Sequence, residues 1–178
     1  PAQFEANRLK LLQSSETSGI ALRVIVDGHI GFSATNDSQD IHGLVDRAIE
    51  VAQFGAVARF DFPGSHGYPQ VHLYDEETER IGVEQMVELG QSMIDTVRRA
   101  SQELLCDARV SRGVATIEVM NTQGGHVTYK RTVFGLGMEA TLIRGTDMLF
   151  LGEHRSSASP ILDSKPITDT IIRQLEMA

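Results

Sequence analysis

The stretch Gly19-Ile-Ala-Leu-Arg-Val-Ile-Val-Asp-Gly-His-Ile-Gly-Phe-Ser-Ala-Thr-Asn36 decides how this chain is read. Runs of β-branched and apolar residues flank Asp27-Gly28, and an Asp-Gly pair between such runs is a strong hairpin signal, because both turn positions take φ > 0. A two-residue turn also fixes the register: Val26 opposite His29, Ile25 opposite Ile30, Val24 opposite Gly31, Arg23 opposite Phe32. One face then carries Ile25, Ile30, Phe32 and Ala34. The other carries Leu22, Val24 and Val26 opposite the small or polar His29, Gly31 and Ser33. One face is expected to receive a helix, and the other to pack against the second half of the chain or a partner subunit.

Outward from the hairpin, Ile41, Leu44, Val45, Ala48, Ile49 and Ala52 recur at helical spacing after the capping oxygens of Asn36-Asp37-Ser38, which predicts a helix over about 38 to 56. On the other side, residues 2 to 13 fit either a short helix or a strand leading into the hairpin. Phe60 to Pro69 is dense in Pro and Gly and aperiodic, so it reads as a loop, with a weak strand expected at 70 to 74. Asp75-Glu76-Glu77 precedes a helix, where the dipole favours negative charge, and reads as a solvated helix entry, not as catalytic carboxylates. Val83, Met86, Val87, Gly90, Met93, Ile94, Val97, Ala100 and Leu104 form the longest helical stripe.

From residue 109 the period becomes alternating. Residues 113 to 120 and 126 to 134 flank Asn121-Thr-Gln-Gly-Gly125 as a hairpin. Phe134 to Leu142 continues the alternation, and Arg144-Gly-Thr-Asp147 turns the chain into a fourth strand near 148 to 156. Asp163-Ser164 with Pro166 starts a last helix sharing Ile167, Ile171 and Leu175 on one face. The fold class is α+β: a β-hairpin plus amphipathic helix, then a long helix packed on a largely antiparallel meander, and a C-terminal helix. The domain layout is one α+β domain over 1–178, with lobes at about 1–59 and 70–178 joined by the loop at 60–69.

The chain has 178 residues, a size that buries an ample core without staples, and a single cysteine, Cys106, which excludes an internal disulfide. Cys106 reads as a structural thiol at a helix end, in a reducing compartment. A net charge of -8 argues against a general nucleic-acid binder, and Arg98-Arg99 and Lys130-Arg131 read as solvated edges. No apolar run approaches a membrane span and no signal pattern opens the chain, so the expectation is a soluble, cytoplasmic protein. The start at Pro1, without Met, suggests a trimmed or mid-protein beginning.

Six histidines, His29, His42, His66, His72, His126 and His154, raise a metal question, but none forms a pair at i, i+4 on a helix as zinc needs. His66 and His72 flank a loop and could converge; Glu153-His154 ends a strand. No nucleophile elbow, Walker loop or strand-linked dinucleotide fingerprint occurs, and Gly135-Leu136-Gly137 lacks a third glycine. No catalytic, cofactor-binding or metal residues are assigned.

The 19–36 hairpin with its following helix, together with Ile117-Glu-Val-Met-Asn-Thr-Gln-Gly124 and Tyr129-Lys-Arg-Thr-Val-Phe134, resembles the N-terminal region of TldD/PmbA proteins. That family is described as metallopeptidases and as modulators of DNA gyrase. The resemblance implies a non-catalytic N-terminal domain. The family's zinc site, a His-Glu-x-x-x-His helix with an added cysteine, belongs to a later domain, and the motif is absent from this sequence. Zinc is therefore implied only for a full-length protein. The resemblance further implies homo- or heterodimers enclosing a chamber, with this domain helping to admit unfolded peptides for proteolysis. The alternative is a non-enzymatic interaction domain of a metal-free PmbA-type paralogue, binding a partner or peptide.

Overall fold

A computed structural model describes residues 1–65 and 67–178. Eleven elements are formed among them: β1 Ala2–Glu5, β2 Arg8–Leu12, β3 Ile20–Val26, β4 His29–Thr35, α1 Ile41–Ala52, α2 Glu76–Arg80, α3 Val83–Ala100, β5 Leu105–Met120, β6 His126–Arg144, β7 Asp147–Ser157 and α4 Lys165–Glu176. The α+β class holds, with one five-stranded sheet ordered β2-β1-β5-β6-β7 and a separate β3-β4 pair. The chain divides into two compact units. One is Pro1–Ser14, Gly67–Val119 and Val127–Ala178; the other is Ser15–His66 and Met120–His126. This division differs from lobes at 1–59 and 70–178. Residues 1–14 go with the larger unit because β1 pairs with β5, Ala2 opposite Val110 and Phe4 opposite Ala108.

In the smaller unit, β3 and β4 pair in the register that the Asp27-Gly28 turn dictates, from Val26 opposite His29 to Ile20 opposite Thr35. Asp27 and Gly28 have φ of 49° and 78°. Helix α1 covers the face of Val24, Gly31 and Ser33, and Gly31 is where it comes closest: a Cβ there would lie 1.9 Å from the Ala48 carbonyl oxygen. Phe32, on the opposite face, is 52% exposed. The helix is shorter than 38 to 56, because its cap is Asp40, whose Oδ1 accepts from the Gly43 N–H at 3.2 Å, not the Asn36 to Ser38 oxygens. Beyond α1, Ala56 and Ala58 bond along the edge of β4 (Ile30 N–H to Ala56 O, 2.9 Å; Ala58 N–H to Gly28 O, 2.7 Å). In the 121–125 turn, Asn121 Oδ1 accepts from the N–H groups of Gln123 and Gly125, and its Nδ2 donates to Pro63 O at 3.0 Å.

Replacing Gly28 by Val should cost about 1–2 kcal/mol, from placing a β-branched residue at φ > 0. Nothing lies within 4 Å of the would-be Cβ, so the loss is conformational and not steric. A thermal melt shows it; an unchanged Tm would contradict this account of the turn.

In the larger unit, α3 and α4 lie on one face of the sheet. Phe4, Met93, Ile94, Val97, Leu104, Cys106, Val110, Phe134, Leu136, Ile167 and Ile171 are buried in its core. Residues 2 to 13 form a hairpin of their own, β1–β2, turning at Ala6-Asn7 (φ 46° and 70°). The predicted strand at 70 to 74 is absent: that segment makes one bond to β6, from the Thr132 N–H to Leu73 O at 2.9 Å. The helical stripe ends at Ala100, and Leu104 is buried just before β5. The meander has three strands and not four, because β6 runs unbroken through Phe134 for 19 residues without losing its two-residue period. Helix α4 begins as predicted, after Ser164 with Pro166 in its first turn.

Candidate functional site: the open face of the five-stranded sheet

Successive residues of a strand face opposite sides, so the sheet that buries Ala108, Val110, Leu136 and Met138 under the helices turns Asp107, Arg109, Gly137 and Glu139 the other way. Pairing sets these in rows. Gln3 is opposite Arg109 across β1 and β5, and Gly137 is opposite His154, and Glu139 opposite Gly152, across β6 and β7. Between β5 and β6, Ser111 Oγ is 2.7 Å from where a Gly135 Cβ would be. Two residues on in each antiparallel strand, Arg109 therefore lies beside Gly137, and a further two, Asp107 beside Glu139. One row reads Gln3, Arg109, Gly137, His154; its neighbour reads Glu5, Asp107, Glu139, Gly152. They line a groove of about 460 Å³.

The charges in the groove are unevenly engaged. Asp107 accepts from the Ala6 N–H at 2.8 Å, and Glu5 faces Lys10 at 4.0 Å. Among the described residues, Arg109, Glu139 and His154 have neither a hydrogen-bond nor an ion-pair partner from a side chain. Gly152 donates its N–H to Gln174 Oε1 of α4 at 3.2 Å, which blunts the outer edge of β7 at that point.

The histidines are dispersed. His29 Nδ1 lies 3.0 Å from Asp27 O at the first turn; His42 is exposed on α1; His72 is exposed before α2; His126 opens β6; His66 lies outside the described residues. Glu153 and His154, adjacent in β7, face opposite sides of the sheet. No group of three His, Cys, Asp or Glu comes together among the described residues. Cys106 is not at a helix end but in β5, on the helix side; burial pushes its thiol pKa up to about 11 despite the nearby Arg98 guanidinium. At that value it is a packing group and not a nucleophile at neutral pH.

A polar clasp outside the groove ties the 73–80 segment to β6 and to the chain after β7. Asp75 caps α2, accepting from the Thr78 N–H (2.9 Å) and from Ser159 Oγ (2.8 Å), and its own N–H donates to Thr132 Oγ1 (2.9 Å). The buried hydroxyls of Thr78 and Thr132 both donate to Ala158 O at 2.8 Å. Tyr74 OH donates to Glu79, which raises the phenol's pKa, and Lys130 Nζ sits 5.6 Å from the Tyr74 ring centroid. The Thr78 N–H and then the Ser159 hydroxyl hold the Asp75 carboxyl below its ordinary 3.8. A lowered folded-state value means stability that is present above the unfolded pKa and lost as pH falls through the folded one. The Tm of the native chain should therefore exceed that of Asp75→Ala at neutral pH, and the difference should shrink below about pH 4. A constant difference across a pH series of melts would count against the clasp's ionised form.

Comparison with known proteins places these elements. The model of PmbA/TldA metallopeptidase domain 1 matches residues 2–52, which covers both N-terminal hairpins and ends at the last residue of α1. Two solved structures share the fold of the whole chain: TldE from Thermococcus kodakarensis (TM-score 0.79, 15% identity) and a proposed modulator of a DNA gyrase from Thermotoga maritima (TM-score 0.76, 14% identity). Residues 2–52 are thus similar to the family's first domain, and the rest of the chain shares only the fold of these two structures. The chain is covered over 99% and 97% of its length, and spans 41% and 40% of those two chains. No match is found among curated proteins. The family model reaches the 19–36 hairpin but not residues 117–134, whose place rests on the fold likeness alone. No described helix is long and apolar enough to cross a membrane.

Proposed function

We propose that the chain is the N-terminal, non-catalytic domain of a TldD/PmbA-like zinc metallopeptidase-family protein of the cytoplasm, contributing to a dimeric chamber and to the admission of unfolded peptides. The observation that carries this is the match of the family's first-domain model to residues 2–52 in a chain that spans two fifths of its solved relatives. The residues present do not fit a zinc centre: the sequence has no His-Glu-x-x-x-His, and no donor triplet assembles among the described residues. No hydrolytic step is assigned to them. The physical means of admission is strand addition, in which main-chain bonds hold an extended peptide irrespective of its sequence. Strand β7 is an edge of the sheet, and its Phe150 and Met148 are 71% and 58% exposed beside that edge. Hydrogen exchange with an unfolded polypeptide should slow along 113–156. Unchanged protection there, or zinc-dependent cleavage by the isolated chain, would overturn the reading.

The description of the Thermotoga maritima relative favours one further reading, an interaction domain of a metal-free PmbA-type protein acting on a partner such as gyrase. With a net charge of -8, such action would run through protein contact and not through DNA.

A further inference from the structure

The open sheet face has two glycine floors with different neighbours. Gly137 lies between Arg109 and His154, and a Cβ on it would come within 3.3 Å of the His154 Cβ. Gly152 lies beside Glu139, the carboxylate left without a partner among the described residues. One floor therefore presents a guanidinium and an imidazole, and the other a carboxylate. The two are diagonal neighbours across β6 and β7, a separation of about 7 Å. No ion pair joins Arg109 to Glu139 among the described residues, so both charges are available to a ligand.

A lone anion settling over Gly137 would feel Asp107 and Glu139 close by; a lone cation over Gly152 would feel Arg109. A ligand carrying both charges at the right spacing meets neither penalty. In an extended chain each residue spans about 3.3–3.6 Å, so the ammonium and carboxylate of a dipeptide stand about 6–7 Å apart. We infer that the groove over Gly137 and Gly152 binds short zwitterionic peptides of dipeptide length. The C-terminal carboxylate is forked by Arg109 and bonded by His154, and the N-terminal ammonium is held by Glu139. The missing Cβ atoms at both floors let the peptide's backbone lie against the sheet. This goes beyond the admission of long peptides: a failure of strand addition at 113–156 leaves the groove and its test untouched.

The test titrates the ¹⁵N-labelled 178-residue chain with Ala-Ala, N-acetyl-Ala-Ala and Ala-Ala amide, followed by amide chemical shifts. Shifts centred on Gly137, Gly152 and His154 are expected with Ala-Ala, and blocking either end should weaken binding about fivefold, the scale of an exposed charge pair. In Glu139→Gln the penalty for acetylation should vanish while that for amidation persists; in Arg109→Gln the pattern should reverse. Blocked peptides that bind as well as the free one, or shifts lying elsewhere or absent, would overturn the inference, and this arm needs no variant to fold.

Discussion

Replacing Phe4 by alanine should lower the unfolding free energy by about 3–5 kcal/mol, the usual cost of emptying a buried aromatic site. The ring is 2% exposed and lies so close over α3 that a Cβ on Gly90 would be 2.4 Å from its Cε2. The glycine and the aromatic are thus a fitted pair, and the loss leaves a hollow that neither β1 nor α3 can close without moving off the sheet. Urea unfolding measures this directly. Phe4→Leu should recover much of the loss, and a midpoint unchanged by Phe4→Ala would mean that β1 is not packed on α3.

Gly31→Ala should cost about 3 kcal/mol and Gly31→Val more, the upper range of overpacking. The obstruction is backbone: the added carbon would sit 1.9 Å from the Ala48 carbonyl oxygen and 2.9 Å from the Ala52 Cβ. A flexible side chain could swing aside, but a helix carbonyl cannot, so α1 must lift from the hairpin. Loss of amide protection over Ile41–Ala52 is the expected readout. Retained protection would show that α1 does not lie on this face.

The contrast between these two glycines and Gly28 shows what was legible beforehand. The β3–β4 register and its turn follow from a dipeptide whose backbone preference is local, and the helix that covers it follows from periodicity. Which face it covers turns on Gly31, small enough to admit a helix backbone. The β1–β2 hairpin was not legible as such, since Ala6-Asn7 is a weak turn signal. It is held in part by bonds from distant residues: the Asn7 N–H to Cys106 O at 2.8 Å, and the Cys106 N–H to Asn7 Oδ1 at 2.9 Å. The single strand from 126 to 144 reads as two in the sequence, 126 to 134 and Phe134 to Leu142, because nothing local marks the two alternating runs as one strand. The open-face groove was hidden for a related reason. Its signal, Gly135, Gly137 and Glu139 alternating with apolar Leu136 and Met138, and Gly152 two positions before His154, is visible in the sequence, but Arg109 and Gln3 join it only through pairings with no local signature.

The pairing of β1 with β5 also has a consequence in time. Strand β1 is made before its partner residues Ala108 to Val110, which come about a hundred positions later. The β3–β4–α1 unit can close from neighbouring residues, with low contact order and a small loop-closure cost, as soon as residues 20–52 are available. The first hairpin has to wait. Until then it carries Leu9, Leu11 and Leu12, all more than 40% exposed even in the folded chain, on a strand with no sheet to join. Residues 2–12 are therefore sheltered only once β5 has been made, and the interval before it arrives leaves them open to chaperones, to proteases and to mispairing with another copy of the chain.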